Sequence, residues 1–533
     1  MFKEFIKRFE AKYIPLHKNH AHAYWKASLT GKSEDWAEVA KSQLEITKLF
    51  KNQKDFEELV SIKSKNDELD YIESRQVDLL YNAYLPNQYD EKKLEEMIIL
   101  QTKIENEFTN FRSEVDGKIF TDNEVDRLLK TSKDSKELEK VWLASKSIGS
   151  KVYEDVIKLV ELRNEQAVSA GFNNFHEMSL ALSEQNPKDI DRIFKEVDEL
   201  TRIKFVDIKK EIDEKLCERL KIDIEELKPW HYQDQFFQQA PKIYQINYDE
   251  FYHEKDLVSI TCDYFSSIGL QIDDLIERSD LFEKNGKNQH AYCLDMDKEG
   301  DIRILGNVKP NSDWMETLLH EYGHAAYNKF IGRSFPFVLR DPSHIFTTEA
   351  IAMLFGKFAL HPRWLTKVLR IDEKKISEIE NDAYKMIKIN QLVFSRWAMV
   401  MYYFEKELYE KPNQNLNELW WKLITNFQLI SKPENRNQPD WAAKIHVATI
   451  PCYYHNYLLG ELLASQLYHY LVVKIIGKEY SNRYSLYNEP KVGAFLKEEF
   501  FKTGAYFHWS EFIINSLQEP LTAKYYVEQY VMN

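Results

Sequence analysis

His320, Glu321 and His324 stand in the order H-E-x-x-H within NSDWMETLLHEYGHAAYNKF, Asn311 to Phe330. On a helix of 3.6 residues per turn, positions four apart share one face, so both imidazoles can reach a single metal ion. Glu321 lies one residue further round, where its carboxylate can address a water on that metal without ligating it. The chemistry such a set serves is metal-assisted hydrolysis. A catalytic zinc takes three protein ligands and keeps one position open. Glu349, in HIFTTEAIAMLFGKFAL, answers the need for a third. From Ala350 to Leu360 the only charged residue is Lys357, and a carboxylate in so apolar a helix must be paired or metal-bound. An ion pair with Arg340, close by in sequence, is the competing use. The expectation is one Zn2+ per chain on His320, His324 and Glu349.

Two helices must hold these groups. Asp313 followed by Glu316 reads as a capping pair for the first, and Trp314, Leu318, Leu319, Ala325 and Ala326 make it an interior helix. Just before it, HAYCLDMDKEGDIRILGNVK alternates around a D-K-E-G turn and predicts a β-hairpin, whose strand would hold a substrate backbone by strand addition. Residues 1 to about 115 carry helical patterning dense in Lys and Glu, broken at LPNQYDEKK. VDGKIFTDNEV is a turn with a short strand, KPWHYQDQFFQQAP is an aromatic loop, and the pattern after Leu360 is helical apart from SKPENRNQPDW.

A chain of 533 residues exceeds one small core, so two packed lobes are expected. Apolar content of 44% excludes global disorder, and only 15 Gly and 15 Pro favour long helices over a turn-rich β protein. A net charge of −14 argues against nucleic acid as a partner. Cys217, Cys262, Cys293 and Cys452 show neither metal-ligand spacing nor a disulfide framework. MFKEFIKRFEAKYIP lacks the apolar core of a signal peptide, and no window approaches a membrane span. The expected setting is the cytoplasm, or the periplasm or exterior for a chain whose leader has been removed, with no membrane partner.

A second constellation lies in WAAKIHVATIPCYYHNYLLGELLASQL, which gathers Lys444, His446, Tyr453, Tyr454 and Tyr457. Peptide hydrolysis at a metal develops an oxyanion, and Tyr and His are donors suited to it, although tyrosines also cluster simply to pack. With this stretch, the order of segments resembles the angiotensin-converting enzyme family of zinc peptidyl-dipeptidases. LVELRNEQA, QHAYCLDMDKEGDIRI, LLHEYGHAAY, the downstream Glu349, and AKIH followed by Pro and tyrosines recur in that order, from about Lys140 onward. The thimet and oligoendopeptidase F family shares the zinc helices, and the spacing from His324 to Glu349 fits it slightly better. The H-A-Y, D-x-R-I and A-K-I-H segments favour the first family.

The resemblance implies a mostly α-helical, two-lobed metallopeptidase with zinc at the floor of a deep central cleft and a small β-hairpin beside the zinc helix. Residues 1–230 would form roughly the first lobe and lid, and 231–533 the zinc-bearing catalytic region. His320, His324 and Glu349 would hold zinc, and Glu321 would be the general base. His446 and one tyrosine would stabilise the tetrahedral intermediate. Tyr457 is the choice, because it keeps its spacing to the following helix, and Tyr454 is its rival. His290 and the Ala291 backbone would hold the substrate chain. Lys444 and Tyr453 would take its C-terminal carboxylate, with Gln233 a further candidate. The implied activity is hydrolysis of oligopeptides with release of C-terminal dipeptides. An oligoendopeptidase and a catalytically silent peptide-binding relative are the alternatives. Four departures stand out: one extra residue between His446 and the tyrosines, Met353 where the family often has an acid, Gln289 where extracellular members have Cys, and no Arg beside the tyrosines. Chloride activation is therefore not expected, and the partners of the zinc histidines are left unassigned.

Overall fold

The helix that carries H-E-x-x-H runs from Ser312 to Phe330, and Asn311 closes its first turn by accepting from Trp314 N at 2.9 Å. This corrects the cap expected from Asp313 and Glu316. Asn311 is extended (φ −144, ψ 170), which sets its side-chain oxygen over the third helical amide, whereas Asp313 already lies inside the first turn. Asp249 secures the same end, its Oδ1 accepting from both the amide and the hydroxyl of Ser312.

In a computed structural model that describes residues 1–532, the chain is mostly α-helical. Its principal helices are α1 (Phe2–Thr30), α2 (Ser135–Ser169), α3 (Pro187–Leu220), α4 (Ser312–Phe330), α5 (Ile345–Gly356), α6 (Glu380–Glu410) and α7 (His455–Tyr470). Two antiparallel hairpins accompany them, β1 (Ser113–Val115) with β2 (Lys118–Phe120) and β3 (Tyr292–Asp295) with β4 (Ile302–Leu305). Both fall where alternation and turn residues place them. In the second, Tyr292 pairs with Leu305 and Asp295 with Ile302. Asp295 Oδ1 accepts from Asp297 N and Lys298 N, which folds the connection back on itself.

The chain divides into two compact units, each assembled from separate stretches. One comprises Met1–Gln88, Ile246–Ala383 and Leu459–Gln529; the other comprises Tyr89–Gln245, Tyr384–Leu458 and the last residues from Tyr530. In the first unit α4 and α5 pack side by side, and α4 also carries β3 and β4. The approach of the two helices depends on Gly323, where an added Cβ would lie 2.9 Å from Ala352 Cα. Leu318, Leu319, Tyr322, Ala325 and Ala326 of α4 are buried, as are Ile351 and Phe355 of α5. In the second unit Arg396 on α6 is buried between Asp198 and Thr201 of α3, and Tyr402 donates to Asp191 at 2.9 Å. A buried carboxylate–guanidinium pair of this kind satisfies the donors that an apolar interface would otherwise strand. Among the described residues, no helix is long and apolar enough to cross a membrane, and all four cysteines are free.

Candidate active site

His320 and His324 project from one face of α4 toward Glu349 on α5. Nε2 of His320 lies 3.8 Å from Glu349 Oε2, Nε2 of His324 lies 4.0 Å from the same oxygen, and the two imidazole nitrogens are 3.2 Å apart. Ligands held tetrahedrally by one zinc at its usual bond lengths are roughly 3.3–3.5 Å from one another. The three groups are therefore spaced for one ion, and they form the metal-capable cluster among the described residues. Burial presses His320 down to about 4, and it lowers His324 well below the usual histidine range with His320 adding to the effect. Both rings are thus neutral at pH 7, the form that ligates. The side chain of His320 keeps 31% exposure against 12% for Glu349, so access to the cluster is from the His320 side.

Glu321 is buried on the same helix. Burial, then the neighbouring Glu349, raises it to about 8, while the nearby backbone amide of Cys293 on β3 opposes the shift. His290 and Ala291 sit immediately before β3 in irregular chain, with His290 exposed and its amide on Asn288 Oδ1 at 3.0 Å.

The partner left unassigned by Met353 lies in α5. His324 Nδ1 lies 2.7 Å from Thr348 Oγ1. A hydroxyl can donate or accept, so Thr348 can take the Nδ1 proton of a His324 ring whose Nε2 faces a metal. Gly460 of α7 completes this wall, since a Cβ there would lie 3.3 Å from Glu349 Cβ.

The remaining sequence candidates belong to the second unit. Lys444 is buried rather than displayed on the surface. Its Nζ donates to Gln238 Oε1 at 2.7 Å and lies over the rings of Phe236, Trp397 and Tyr454 at 5.4–5.5 Å. Burial lowers it to about 8, with Asp234 resisting. His446 follows in a short helix, Ile445–Thr449, with its ring 5.3 Å from that of Tyr454, and its Nδ1 is buried without a hydrogen-bond partner. Tyr457 packs edge-on against both Tyr453 and Tyr454 at 5.2 and 5.3 Å. Tyr454 is buried and Tyr457 half-buried. Gln233 accepts from Lys242 N at 3.0 Å and lines a cavity of about 260 Å³ with Lys444 and Gln238. Sequence reasoning missed Thr348 and Gln238. For Gln238 the available signal was its place in the same aromatic loop as Gln233.

A family model described as angiotensin-converting enzyme matches residues 1–215 and 230–529. The chain belongs to the angiotensin-converting enzyme peptidase family. The match begins at the first residue, well before the segments from Lys140 on which the resemblance rested. Among individual relatives, angiotensin-converting enzyme of Rattus norvegicus is 24% identical over 248 residues, 44% of this chain and 19% of that protein. Group B oligopeptidase PepB of Streptococcus agalactiae is 24% identical over 218 residues, 40% of this chain and 35% of its own length. The aligned stretches thus span about a fifth to a third of these relatives.

Proposed function

We propose that the protein is a zinc metallopeptidase that hydrolyses oligopeptides and releases C-terminal dipeptides. The observation that carries the reading is the convergence of His320, His324 and Glu349 on one ion-sized space, with Glu321 next to His320 on the same buried helix. Zinc held by these three would supply Lewis acidity toward the scissile carbonyl and toward water. Glu321 takes the proton of the attacking water and delivers one to the leaving amine. Thr348 accepts from His324 Nδ1 and orients its ring. His446 and Tyr457, with Tyr454 as the alternative, donate to the oxyanion. His290 and the Ala291 backbone hold the peptide chain, and Lys444, Tyr453 and Gln233 receive its terminal carboxylate. The family membership supports the peptidase reading.

A second reading has its own support: the oligopeptidase PepB is among the relatives, and the spacing from His324 to Glu349 suits an oligoendopeptidase. Metal analysis of the purified protein, with mass spectrometry of the products from one free decapeptide, decides between them. Stoichiometric zinc and sequential loss of dipeptides from the C-terminus are expected. Internal fragments alone would replace the dipeptidase reading by the second, and a protein with zinc but no turnover would replace both by a peptide-binding role.

A further inference from the structure

A second pocket lies in the first unit, lined by residues that take no part in the reading above. It encloses about 570 Å³ between the short helix Pro362–Lys367 and the loop Ile476–Glu489. Arg363, Lys367, Lys478 and Arg483 line it, with Glu489 as the one carboxylate among its lining residues. In a chain of net charge −14, four cations gathered around one cavity with a single lining carboxylate offer an anion several partners at once.

The pocket is built rather than incidental. His361 is buried and ties its two walls together: Nδ1 accepts from Arg363 N at 3.2 Å and caps the short helix, while Nε2 lies 2.7 Å from the Asn482 carbonyl of the loop. A carbonyl can only accept, so Nε2 donates and Nδ1 must be the acceptor. Burial lowers His361 to about 4, which keeps that single tautomer neutral. Two more buried side chains clamp the loop from beneath. Tyr468 OH lies 2.9 Å from the Tyr484 carbonyl and accepts from Tyr484 N at 3.0 Å, and Tyr264 donates to the Ser485 carbonyl at 2.8 Å. A wall fixed in this way costs little ordering entropy when a ligand enters.

The cations are also available. Lys367 pairs with Glu373 at 3.1 Å, Lys478 with Glu489 at 2.9 Å, and Arg483 with Glu380 at 3.8 Å, all substantially exposed. Exposed pairs of this kind hold about 0–1 kcal/mol and yield readily to a better anion. Arg363 has no ion-pair partner among the described residues. Guanidinium forks match the oxygens of a phosphate, and a dianion draws several cations at once where a single carboxylate does not. Tyr484, Tyr487 and Ile476 add an apolar wall beside the charges, and the volume is that of a small-molecule site.

We propose that this pocket binds a small organic phosphate, with the phosphate between Arg363 and Arg483 and its carbon portion against Tyr487 and Ile476. Calorimetric titration of the 533-residue chain at 0.15 M salt with AMP, inorganic phosphate, adenosine and a glutamate-rich peptide tests it. Saturable one-to-one binding of AMP is expected, with inorganic phosphate weaker and adenosine not bound. The Arg363→Ala/Arg483→Ala double variant should lose at least tenfold in AMP affinity with its circular dichroism unchanged. Where that variant does not fold, the exposed pair Lys367→Glu/Lys478→Glu provides the same comparison. A His320→Ala protein should bind AMP as the parent does, because the pocket is independent of the metal ligands. Equal affinity for adenosine and AMP, unaltered AMP affinity in the charge variants, loss of binding in His320→Ala, or preference for a glutamate-rich peptide would each overturn the proposal.

Discussion

In the proposed mechanism Thr348 and Glu321 act on the same chemistry through different bonds, and substitution separates them. Glu321→Gln keeps the shape and removes the base while leaving the three ligands in place. Turnover should fall by about two to four orders of magnitude with zinc content unchanged. Loss of the metal in that variant would remove Glu321 from the base role. Thr348→Val removes only the acceptor 2.7 Å from His324 Nδ1. Loss of an outer hydrogen-bond partner commonly costs about 10–100-fold in metal affinity, so competition with a chelator should show zinc held more weakly by that factor. Thr348→Ser should restore it, which a purely packing role would not predict. Both histidines, Glu321 and Glu349 were legible in the sequence because helical spacing alone brings the first three together and an apolar helix exposes the fourth. Thr348 was not, since its meeting with His324 depends on how two helices are rotated against each other, and no spacing along either one encodes that.

At the scale of elements, the distance between α4 and α5 is set at Gly323. A methyl there would meet backbone atoms of Ala352 and Ile351 at 2.9–3.3 Å, which have no rotamer to retreat into. Overpacking of this sort costs typically 1–3 kcal/mol, against about 1 kcal/mol gained in helix propensity. Gly323→Ala should therefore be destabilised overall, and it should also loosen the metal, because Glu349 moves with α5. A lowered melting temperature together with unchanged zinc affinity would show that the close approach serves packing alone. The hairpins, the aromatic loop and most helices were readable from alternation, turn residues and periodicity. The cap was misread for a local reason. Asp313 and Glu316 have the right types, but Asn311 has the extended backbone that a cap requires, and that conformation is not a property of composition. The hairpin was expected to hold a substrate strand, and the fold packs its strand β3 against α4, the helix that carries His320 and His324.

At the scale of the whole molecule, the roles proposed above fall on residues of two compact units. His320, His324, Glu321 and Glu349 belong to one, and Lys444, His446 and the tyrosines to the other. Neither Lys444→Ala nor His446→Ala should alter zinc content, whereas each should lower turnover. Lys444 carries the sharper test, because the proposed dipeptidase must fix the substrate carboxylate and an endopeptidase has no such need. Losing a charge-assisted hydrogen bond costs about 1.5–3 kcal/mol, so kcat/KM for a free peptide should drop roughly 10–150-fold in Lys444→Ala, mostly through KM. Amidating the peptide should cost the parent enzyme a similar factor. If the ammonium and the carboxylate are partners, the two changes are not additive, and Lys444→Ala should cleave free and amidated peptides alike. The pH dependence adds a second signature. Burial sets Lys444 near 8, so it is charged below that pH and increasingly neutral above it. KM for the free peptide should therefore climb as pH rises through about 8, a step absent from the amidated peptide and from Lys444→Ala. Bound carboxylate favours the ammonium, so the step should move to higher pH in kcat than in kcat/KM. Additive losses in the two-by-two comparison, or the same pH step with the amidated peptide, would place the carboxylate elsewhere and shift the balance toward an enzyme that cuts within the chain.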